Sequence, residues 1–248
     1  MKNKQQKETD VAIGLKQRIE AIANYSNEGR KYSKEEMLAI QKLESEAASN
    51  LACENRRIAM TNKAVGRSGI HPLHQRCTVS NFEANTPDKV IAKKFAYEYI
   101  TGFESNNGQG FIFSGTPGTG KNHLSAAICN ALIKSGKSCL VITINEMMQK
   151  LRNTYHKDSA ITEDQFIQSM INYDLLVLDE VGLQRGTDAE RLAINQIVDQ
   201  RVCRIKPTGM LTNLSSQDLE HTLGERVMDR MKMNDGEWIA FNWESYRR

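Results

Sequence analysis

Short apolar segments alternate with helix-like segments through the C-terminal half of the chain, and this alternation restricts the fold more than any other feature. The apolar segments are residues 110–114, 138–144, 173–179, 208–213 and 237–243. Amphipathic segments typical of helices separate them, at about 120–135, from Asn145, at 187–204 and at about 215–232. Apolar strands that alternate with helices indicate a parallel sheet. We therefore predict an α/β fold whose parallel sheet is covered by helices on both faces.

The part of the chain before residue 86 has a different character. Apolar residues with helical spacing predict a short helix over 10–24, and Ser33 with Glu36 forms a capping box that begins a second helix, expected over about 34–64. The second helix carries many charges and too few large apolar residues to build a core alone, so it is either an exposed arm that binds a partner or a helix packed on the main domain. We predict a helical N-terminal region at 1–65, a linker at 66–85 broken by Pro72, and one main domain at 86–248 that opens with a helix over about 86–101.

Composition excludes several classes of protein. The net charge is only +3, so charge alone does not indicate a nucleic-acid-binding protein. The five cysteines are scattered and include no C-x-x-C pair, which argues against a disulfide framework or a zinc site. The N-terminus lacks the apolar core of a signal peptide, and no segment approaches the length of a membrane span. We expect a cytoplasmic protein without a membrane partner.

A glycine-rich loop, GTPGTGK, lies between the first strand and the helix that follows it. It fits the pattern G-x-x-x-x-G-K-[ST] of a phosphate-binding loop through Gly115, Gly120 and Lys121, but Asn122 replaces the serine or threonine that normally holds Mg²⁺. Loop N–H groups and the helix N-terminus favour phosphate oxygens, and Lys121 is placed to reach the β- and γ-phosphates. We predict that nucleotide contacts come from Gly115, Thr116, Pro117, Gly118, Thr119, Gly120, Lys121, Asn122 and His123.

Polar residues follow two later strands. Asp179 and Glu180 end the segment LLVLDE, where open α/β sheets place their ligands. Asp179 is a candidate ligand for Mg²⁺, and Glu180 is a candidate to orient or deprotonate the attacking water. Asn213 follows the next strand and is a candidate for contact with the γ-phosphate, although an isolated Asn there would be read as a turn former.

Two arginines, Arg226 and Arg230, lie four residues apart on one helical face of the segment GERVMDRM. A positive charge delivered by a neighbouring subunit accelerates phosphoryl transfer, so either arginine is a candidate for that role. The alternative is a surface network of these arginines with Glu225 and Asp229.

Several separate blocks resemble the DnaC-type bacterial replicative helicase loaders, which are AAA+ ATPases. These blocks are GRSGIHPLHQRC, GTPGTGKNHL, LLVLDE, NQIVDQR, PTGMLTN, LGERVMDRM and FNWESYR. The resemblance covers about Gly66–Arg247 and is weak over the first 60 residues. It implies an AAA+ P-loop core with ATP and Mg²⁺ as cofactors. Loaders of this branch carry an Asn after the loop lysine, and its amide oxygen would bind Mg²⁺ more weakly than a hydroxyl, so we expect slow hydrolysis.

The resemblance also implies roles for particular residues. Lys121 would bind phosphate, Asp179 and Asn122 the metal, Glu180 the water, and Asn213 would act as a sensor. Arg230 would be the finger that reaches a neighbouring subunit's nucleotide, with Arg226 as the second choice, and Arg247 would be a second sensor arginine. We expect no C-terminal helical lid after the last strand.

The resemblance implies three kinds of partner: a hexameric replicative helicase, held by residues 1–60; single-stranded DNA; and neighbouring copies of the same chain. DNA would pass along the helices after the second strand, where Lys150, Arg152, Tyr155 and Lys157 offer positive charges and an aromatic ring. An exposed amphipathic helix with Met147, Met148 and Leu151 in the core is an alternative that leaves this basic face available. The rival functions are a transposition helper ATPase, a nucleotide-binding adaptor without turnover, and a DNA-unwinding motor. The motor is disfavoured because the sequence shows no second ATPase module.

Overall fold

The computed structural model of the chain describes residues 34–156, 158–182 and 187–246. The predicted helix over 10–24 therefore lies outside the described residues. The chain divides into two compact units, Met1–Arg57 and Ile58–Arg248. The first described helix, α1 (Lys34–Arg67), confirms the predicted second helix and extends it by one turn. In the first unit, Leu38 and Leu43 of α1 are exposed.

Five parallel strands form the sheet of the second unit, in the order β2-β3-β4-β1-β5. The strands are β1 (Phe111–Gly115), β2 (Cys139–Thr143), β3 (Leu175–Val181), β4 (Thr208–Thr212) and β5 (Glu237–Phe241). The helices are α2 (Pro87–Thr101), α3 (Lys121–Lys134), α4 (Ile144–Asn153), α5 (Glu163–Asn172), α6 (Asp188–Cys203), α7 (Ser216–Leu223) and α8 (Glu225–Lys232). The predicted α/β architecture is confirmed, because every predicted strand forms close to its expected residues and all five join one parallel sheet.

Both faces of the sheet are buried, as the alternation of side chains in β3 illustrates. Leu175 and Val177 belong to one hydrophobic cluster, whereas Leu176 and Leu178 belong to a second cluster on the opposite face. Successive strand residues point to opposite faces, so an uninterrupted apolar strand requires cover on both. The central strands thereby place their carboxyl ends at a fixed edge of the domain.

The helical region predicted after β2 is divided in the structure, and the short helices predicted near the C-terminus form as two elements. The helix expected from Asn145 ends at Asn153, and Thr162 then caps a separate helix, α5, through a complete capping box with Gln165. The short helices expected at about 215–232 are α7 and α8, and Gly224 with φ 91° separates them. Both boundaries are set by local backbone chemistry within a continuous amphipathic pattern.

The segment between α1 and α2 packs as part of the second unit. We call residues 68–83 the strap. Ile70, Cys77 and Phe82 of the strap are buried in the same cluster as β1 and α3. The N–H of Val141 on the edge strand β2 donates to the carbonyl of Ser68 at 2.7 Å. Part of the predicted linker is thus a piece of the core, which its glycine and proline content does not indicate.

No helix in the described part of the chain is both long and apolar enough to cross a membrane.

Candidate nucleotide site

A cavity of about 640 Å³ lies where the carboxyl ends of β1, β3 and β4 meet the strap. The loop after β1 forms its floor through Pro117, Gly118 and Gly120. In parallel sheets this edge carries the ligand site, because the loops that leave the strands converge there. The predicted residues Lys121, Asn122, His123, Asp179, Glu180 and Asn213 all line this one cavity.

The loop turns directly into α3, whose N-cap is Gly120 with φ 97°. This left-handed conformation favours glycine, and a Cβ at this position would also lie 2.9 Å from the ring of Phe82. Thr119 is buried and its hydroxyl donates to the carbonyl of Thr116 at 2.8 Å, so Thr119 shapes the loop and does not line the cavity. The N-terminus of α3 and the loop backbone form the kind of cradle that binds phosphate oxygens.

Lys121 begins α3 and is only 6% exposed. Its Nζ donates to the carbonyls of Gly115 at 2.6 Å and Thr116 at 2.9 Å, and to Oδ1 of Asn213 at 2.9 Å. Burial lowers the pKa of Lys121, while the negative charge of Asp179 opposes that shift. Lys121 therefore joins the ends of β1 and β4 at one point, and a phosphate would compete with these oxygens for its three donors.

Asp179 and Glu180 lie at an irregularity in the pairing of β3 with β4, between Leu178 and Val181. Glu180 adopts φ 56°, so the two carboxylates depart from the regular alternation of the strand. The backbone N–H of Glu180 donates to Oδ1 of Asp179 at 2.7 Å. Glu180 is exposed to the cavity, whereas Asp179 is partly buried. This geometry places one shielded and one solvated carboxylate beside the loop.

Asn122 contacts the shielded carboxylate directly. Its amide Nδ2 donates to Oδ2 of Asp179 at 2.6 Å. Burial raises the pKa of Asp179, and the hydrogen bonds from Glu180 and Asn122 and the charge of Lys121 act in the opposite direction. A serine or threonine at position 122 would be shorter and would offer a hydroxyl; the amide instead holds Asp179 by a charge-assisted hydrogen bond.

The strap and the C-terminal segment complete the cavity, and sequence reasoning did not identify these walls. Leu73, His74, Asn81, Phe82, Glu83 and Tyr246 line it. Nε2 of His123 lies 2.9 Å from Oδ1 of Asn81, which ties α3 to the strap. The N–H of Tyr246 donates to the carbonyl of Gly118 at 2.9 Å. No motif marks these contacts in the sequence, since each joins residues that are distant along the chain.

The two candidate arginines lie on α8 and do not line the cavity. Nε of Arg230 donates to Oδ1 of Asp199 on α6 at 2.7 Å, and Nη2 of Arg226 lies 3.5 Å from the same oxygen. The carboxylate that both arginines contact is thus Asp199, whereas the predicted alternative was a network with Glu225 and Asp229. Arg247 lies outside the described residues.

The candidate DNA-binding residues follow β2, and each described one is paired with a glutamate. Nζ of Lys150 lies 3.3 Å from Glu146, and Nη1 of Arg152 lies 4.0 Å from Glu190. The hydroxyl of Tyr155 donates to Glu163 at 3.4 Å. All three side chains are more than half exposed, and Met147, Met148 and Leu151 on the other face of α4 are buried, as the alternative interpretation predicted. Lys157 lies outside the described residues.

Comparisons with known proteins give the family. The profile of the family described as "IstB-like ATP binding protein" matches residues 9–248. The replicative helicase loader DnaC of Escherichia coli (strain K12) is 45% identical over 214 residues, which are 86% of each chain. The chain belongs to the IstB-like ATP-binding family and to its DnaC-type group.

A second relative agrees with this DnaC-type assignment, and a solved structure agrees with the fold. The replicative helicase loader DnaC of Buchnera aphidicola subsp. Baizongia pistaciae is 36% identical over 240 residues, covering 95% of this chain and 96% of the relative. A crystal structure of the DnaC helicase loader superposes with a TM-score of 0.62 at 24% identity, covering 68% of this chain and 99% of that one; it supports the fold. The chain is accordingly an ATP-binding AAA+ protein of the DnaC type.

Proposed function

We propose that this chain is an ATP-hydrolysing loader that binds a replicative helicase and delivers it onto single-stranded DNA. The observation that carries the proposal is the junction of Lys121, Asp179, Glu180 and Asn213 in one cavity beside the glycine loop. These are the residue types that phosphoryl transfer requires: a cation that binds phosphate, a carboxylate that binds the metal, a second carboxylate that orients or deprotonates the attacking water, and a polar side chain that contacts the γ-phosphate. Two relatives that share 86% and 95% of the chain are named helicase loaders.

The residues at the cavity fit a magnesium ion. Mg²⁺ prefers oxygen ligands, and the carboxylate of Asp179 offers one beside the loop. Asn122 offers a second through Oδ1, provided that its amide rotates away from the hydrogen bond that Nδ2 now makes with Asp179. When bound, the ion supplies positive charge that offsets charge on the β- and γ-phosphates. The required rotation gives a physical reason for weak metal binding and slow turnover.

The chain's own residues provide the remaining parts of hydrolysis. Lys121 draws the phosphates to the N-terminus of α3, and Glu180, the solvated carboxylate, accepts a proton from the attacking water or orients it. Asn213 accepts a hydrogen bond from Lys121, so its side chain would respond when Lys121 turns to the γ-phosphate. The loop Gly115–His123 forms the phosphate cradle, in which Thr119 is buried and supports the shape of the loop. Catalysis of this kind depends on positioning and charge, and no covalent intermediate is involved.

The proposal assigns the partners to different parts of the chain. Residues 1–65 bind the helicase, Lys150, Arg152, Tyr155 and Lys157 bind single-stranded DNA, and residues 86–248 form the ATPase domain. Arg230, with Arg226 as the second choice, enters the ATP site of a neighbouring copy, and Arg247 is a further sensor arginine. The position of both α8 arginines outside their own cavity supports a role in trans.

A second candidate function is an ATP-binding adaptor without turnover. The hydrogen bond between Asn122 and Asp179 favours it, because a carboxylate held by an amide is a poorer metal ligand. In that case ATP would only control assembly. The partner distinguishes a transposition helper of the same family from a loader, because the helper would act with a transposase on duplex DNA.

The experiment is ATP hydrolysis by the purified chain, alone and with single-stranded DNA and the replicative helicase of Escherichia coli. Wild type is compared with Lys121→Ala, which removes the phosphate cation, and with Glu180→Gln, which keeps the side-chain size and removes the base. We expect slow turnover alone, faster turnover with both partners, and loss of at least about a hundredfold in each variant. Tight ATP binding with no turnover under any condition would favour the adaptor.

A further inference from the structure

The contact between α6 and α8 presents one carboxylate to two arginines that can enter another subunit's ATP site. Oδ1 of Asp199 accepts the Nε–H of Arg230 at 2.7 Å and lies 3.5 Å from Nη2 of Arg226. Nη1 of Arg230 also lies 3.3 Å from the sulfur of Met233. Arg230 is therefore held at two points of its guanidinium group, whereas Arg226 has one long contact and is 64% exposed.

Both helices are fixed by the core without help from this contact. Ile194, Ile197 and Val198 bury the inner face of α6, and Met228 and Met231 bury that of α8. The side chains of Asp199 and Arg230 remain 26% and 33% exposed. A partly exposed ion pair contributes little to stability, so the geometry of Asp199 is better explained by the orientation it gives to Arg230.

We propose that Asp199 is a positioning residue that orients Arg230 for insertion into the ATP site of a neighbouring copy. The Nε contact leaves N–H groups of the guanidinium free for phosphate, because arginine has five donors in a rigid fork. One carboxylate shared by two arginines also leaves the group of three with a net positive charge. Holding the side chain in advance reduces the entropy lost when it enters the neighbouring site.

This inference rests on the proposed function, in which Arg230 acts in trans, and it selects Arg230 over Arg226. Arg226 shares the carboxylate only at 3.5 Å and is 64% exposed, so Asp199 holds it less firmly than Arg230. Removing Asp199 should therefore lower turnover through Arg230 and leave ATP binding unchanged. The pKa of Asp199 is lowered by its hydrogen bond with Arg230, which agrees with an ionised carboxylate in the pair.

The test compares ATP turnover by wild type, Arg230→Ala, Asp199→Ala and the double variant, each with single-stranded DNA and the helicase of Escherichia coli. We expect a loss of at least about tenfold for Arg230→Ala, about threefold to tenfold for Asp199→Ala, and no further loss when Asp199→Ala is added to Arg230→Ala. Asp199→Glu should recover part of the turnover. Thermal melting of each variant checks that the domain remains folded.

Mixing subunits separates a role in trans from a structural role within one subunit. Glu180→Gln has an inactive ATP site but keeps its arginines, so it can supply Arg230 to an Asp199→Ala neighbour. Per total protein, an equal mixture should show at least about a quarter of wild-type turnover, since half of the subunits have intact sites and half of those have an intact neighbour. Without rescue, the inactive Glu180→Gln subunits only dilute Asp199→Ala, so a mixture with half the turnover of Asp199→Ala alone would overturn the inference.

The outcomes for single variants are equally distinct. If Arg230→Ala lowers turnover and Asp199→Ala does not, the positioning role fails and the proposed function stands. If Arg230→Ala has no effect while Glu180→Gln abolishes turnover, the role of Arg230 in trans fails together with that of Asp199.

Discussion

At the scale of single residues, the site is controlled by how Asn122 and Lys121 are held. Asn122 donates to Asp179, and Lys121 donates to two loop carbonyls and to Asn213. Each bond must be broken or shared when phosphate and metal enter. The affinity for metal and nucleotide therefore depends on the difference between these internal bonds and the bonds that replace them.

Replacing Asn122 by threonine should strengthen the binding of Mg²⁺ with ATP. The substitution removes the amide that donates to Asp179, and the new hydroxyl is the usual oxygen ligand of Mg²⁺. We therefore expect the Mg²⁺ concentration for half-maximal binding of a fluorescent ATP analogue to fall about tenfold. Asn122→Ala, which removes the bond and supplies no ligand, is the control. An unchanged Mg²⁺ dependence in Asn122→Thr would show that Asn122 does not limit metal binding.

Ile205 occupies an unfavourable backbone conformation at the end of α6. Its φ is 55°, its N–H donates to the carbonyl of Val202 at 3.0 Å, and its side chain is 62% exposed. Glycine is favoured at such a position, so Ile205→Gly should raise the free energy of unfolding by about 1 kcal/mol and Tm by about 2–4 °C. Ile205→Ala removes the same exposed side chain but keeps a Cβ, and it should give a smaller gain. Calorimetry that finds Ile205→Gly less stable than wild type would refute this account of the strain.

At the scale of elements, the strap connects the edge strand β2 with the candidate nucleotide cavity. Gly69 lies against the carbonyl of Val141, Asn130 of α3 donates to the carbonyls of His74 and Cys77, and Asn81 meets His123. These bonds attach the strap to α3 along its length. The strap therefore belongs to the rigid frame of the site.

Substitution of Gly69 by alanine should weaken this frame. A Cβ at Gly69 would overlap the carbonyl oxygen of Val141, and φ of Gly69 is 68°. We expect a loss of about 2–4 kcal/mol in the free energy of unfolding, because backbone cannot move aside as a side chain can. Gly66→Ala is the matched control: nothing lies within 4 Å of a Cβ there. Equal stabilities of the two variants in urea would contradict the docking of the strap on β2.

The basic residues of α4 are predicted to contact single-stranded DNA. Lys150→Ala with Arg152→Ala should weaken binding of single-stranded DNA and reduce the slope of log affinity against log salt by about 1.4, since each phosphate contact on a single strand contributes about 0.7. Lys94→Ala on α2 removes a lysine from a similar pair with Glu98 and should change neither quantity. Fluorescence anisotropy with a labelled oligonucleotide measures both. An unchanged slope in the α4 variant would place the DNA elsewhere.

The sequence predicted the sheet and the loop because both depend on local patterns. Apolar strands, the glycine loop and the acids of LLVLDE are each readable within a few residues. The strap could not be predicted in the same way, since its role depends on contacts with α3 and β2 that are distant in sequence. The partner of the α8 arginines was also not predicted: Asp199 lies on another helix, while Glu225 and Asp229 are closer in sequence.

At the scale of the whole molecule, the proposed catalytic groups lie in two places. The cavity is lined by Lys121, Asp179, Glu180 and Asn213, whereas Arg226 and Arg230 lie outside it on α8. The proposed function accounts for this separation by an assembly in which each subunit would complete the site of the next. ATP binding would then link the association of the subunits to their binding of helicase and DNA.

The most direct test is delivery of the helicase onto circular single-stranded DNA, which has no free end for a closed ring to thread. Purified chain, the helicase of Escherichia coli, ATP and circular DNA are mixed, and helicase that remains with the DNA after gel filtration is measured. The account predicts helicase on the circle only when the chain and ATP are present, and little with Lys121→Ala. Helicase on the circle at the same level without the chain, or at the wild-type level with Lys121→Ala, would contradict an ATP-dependent loader.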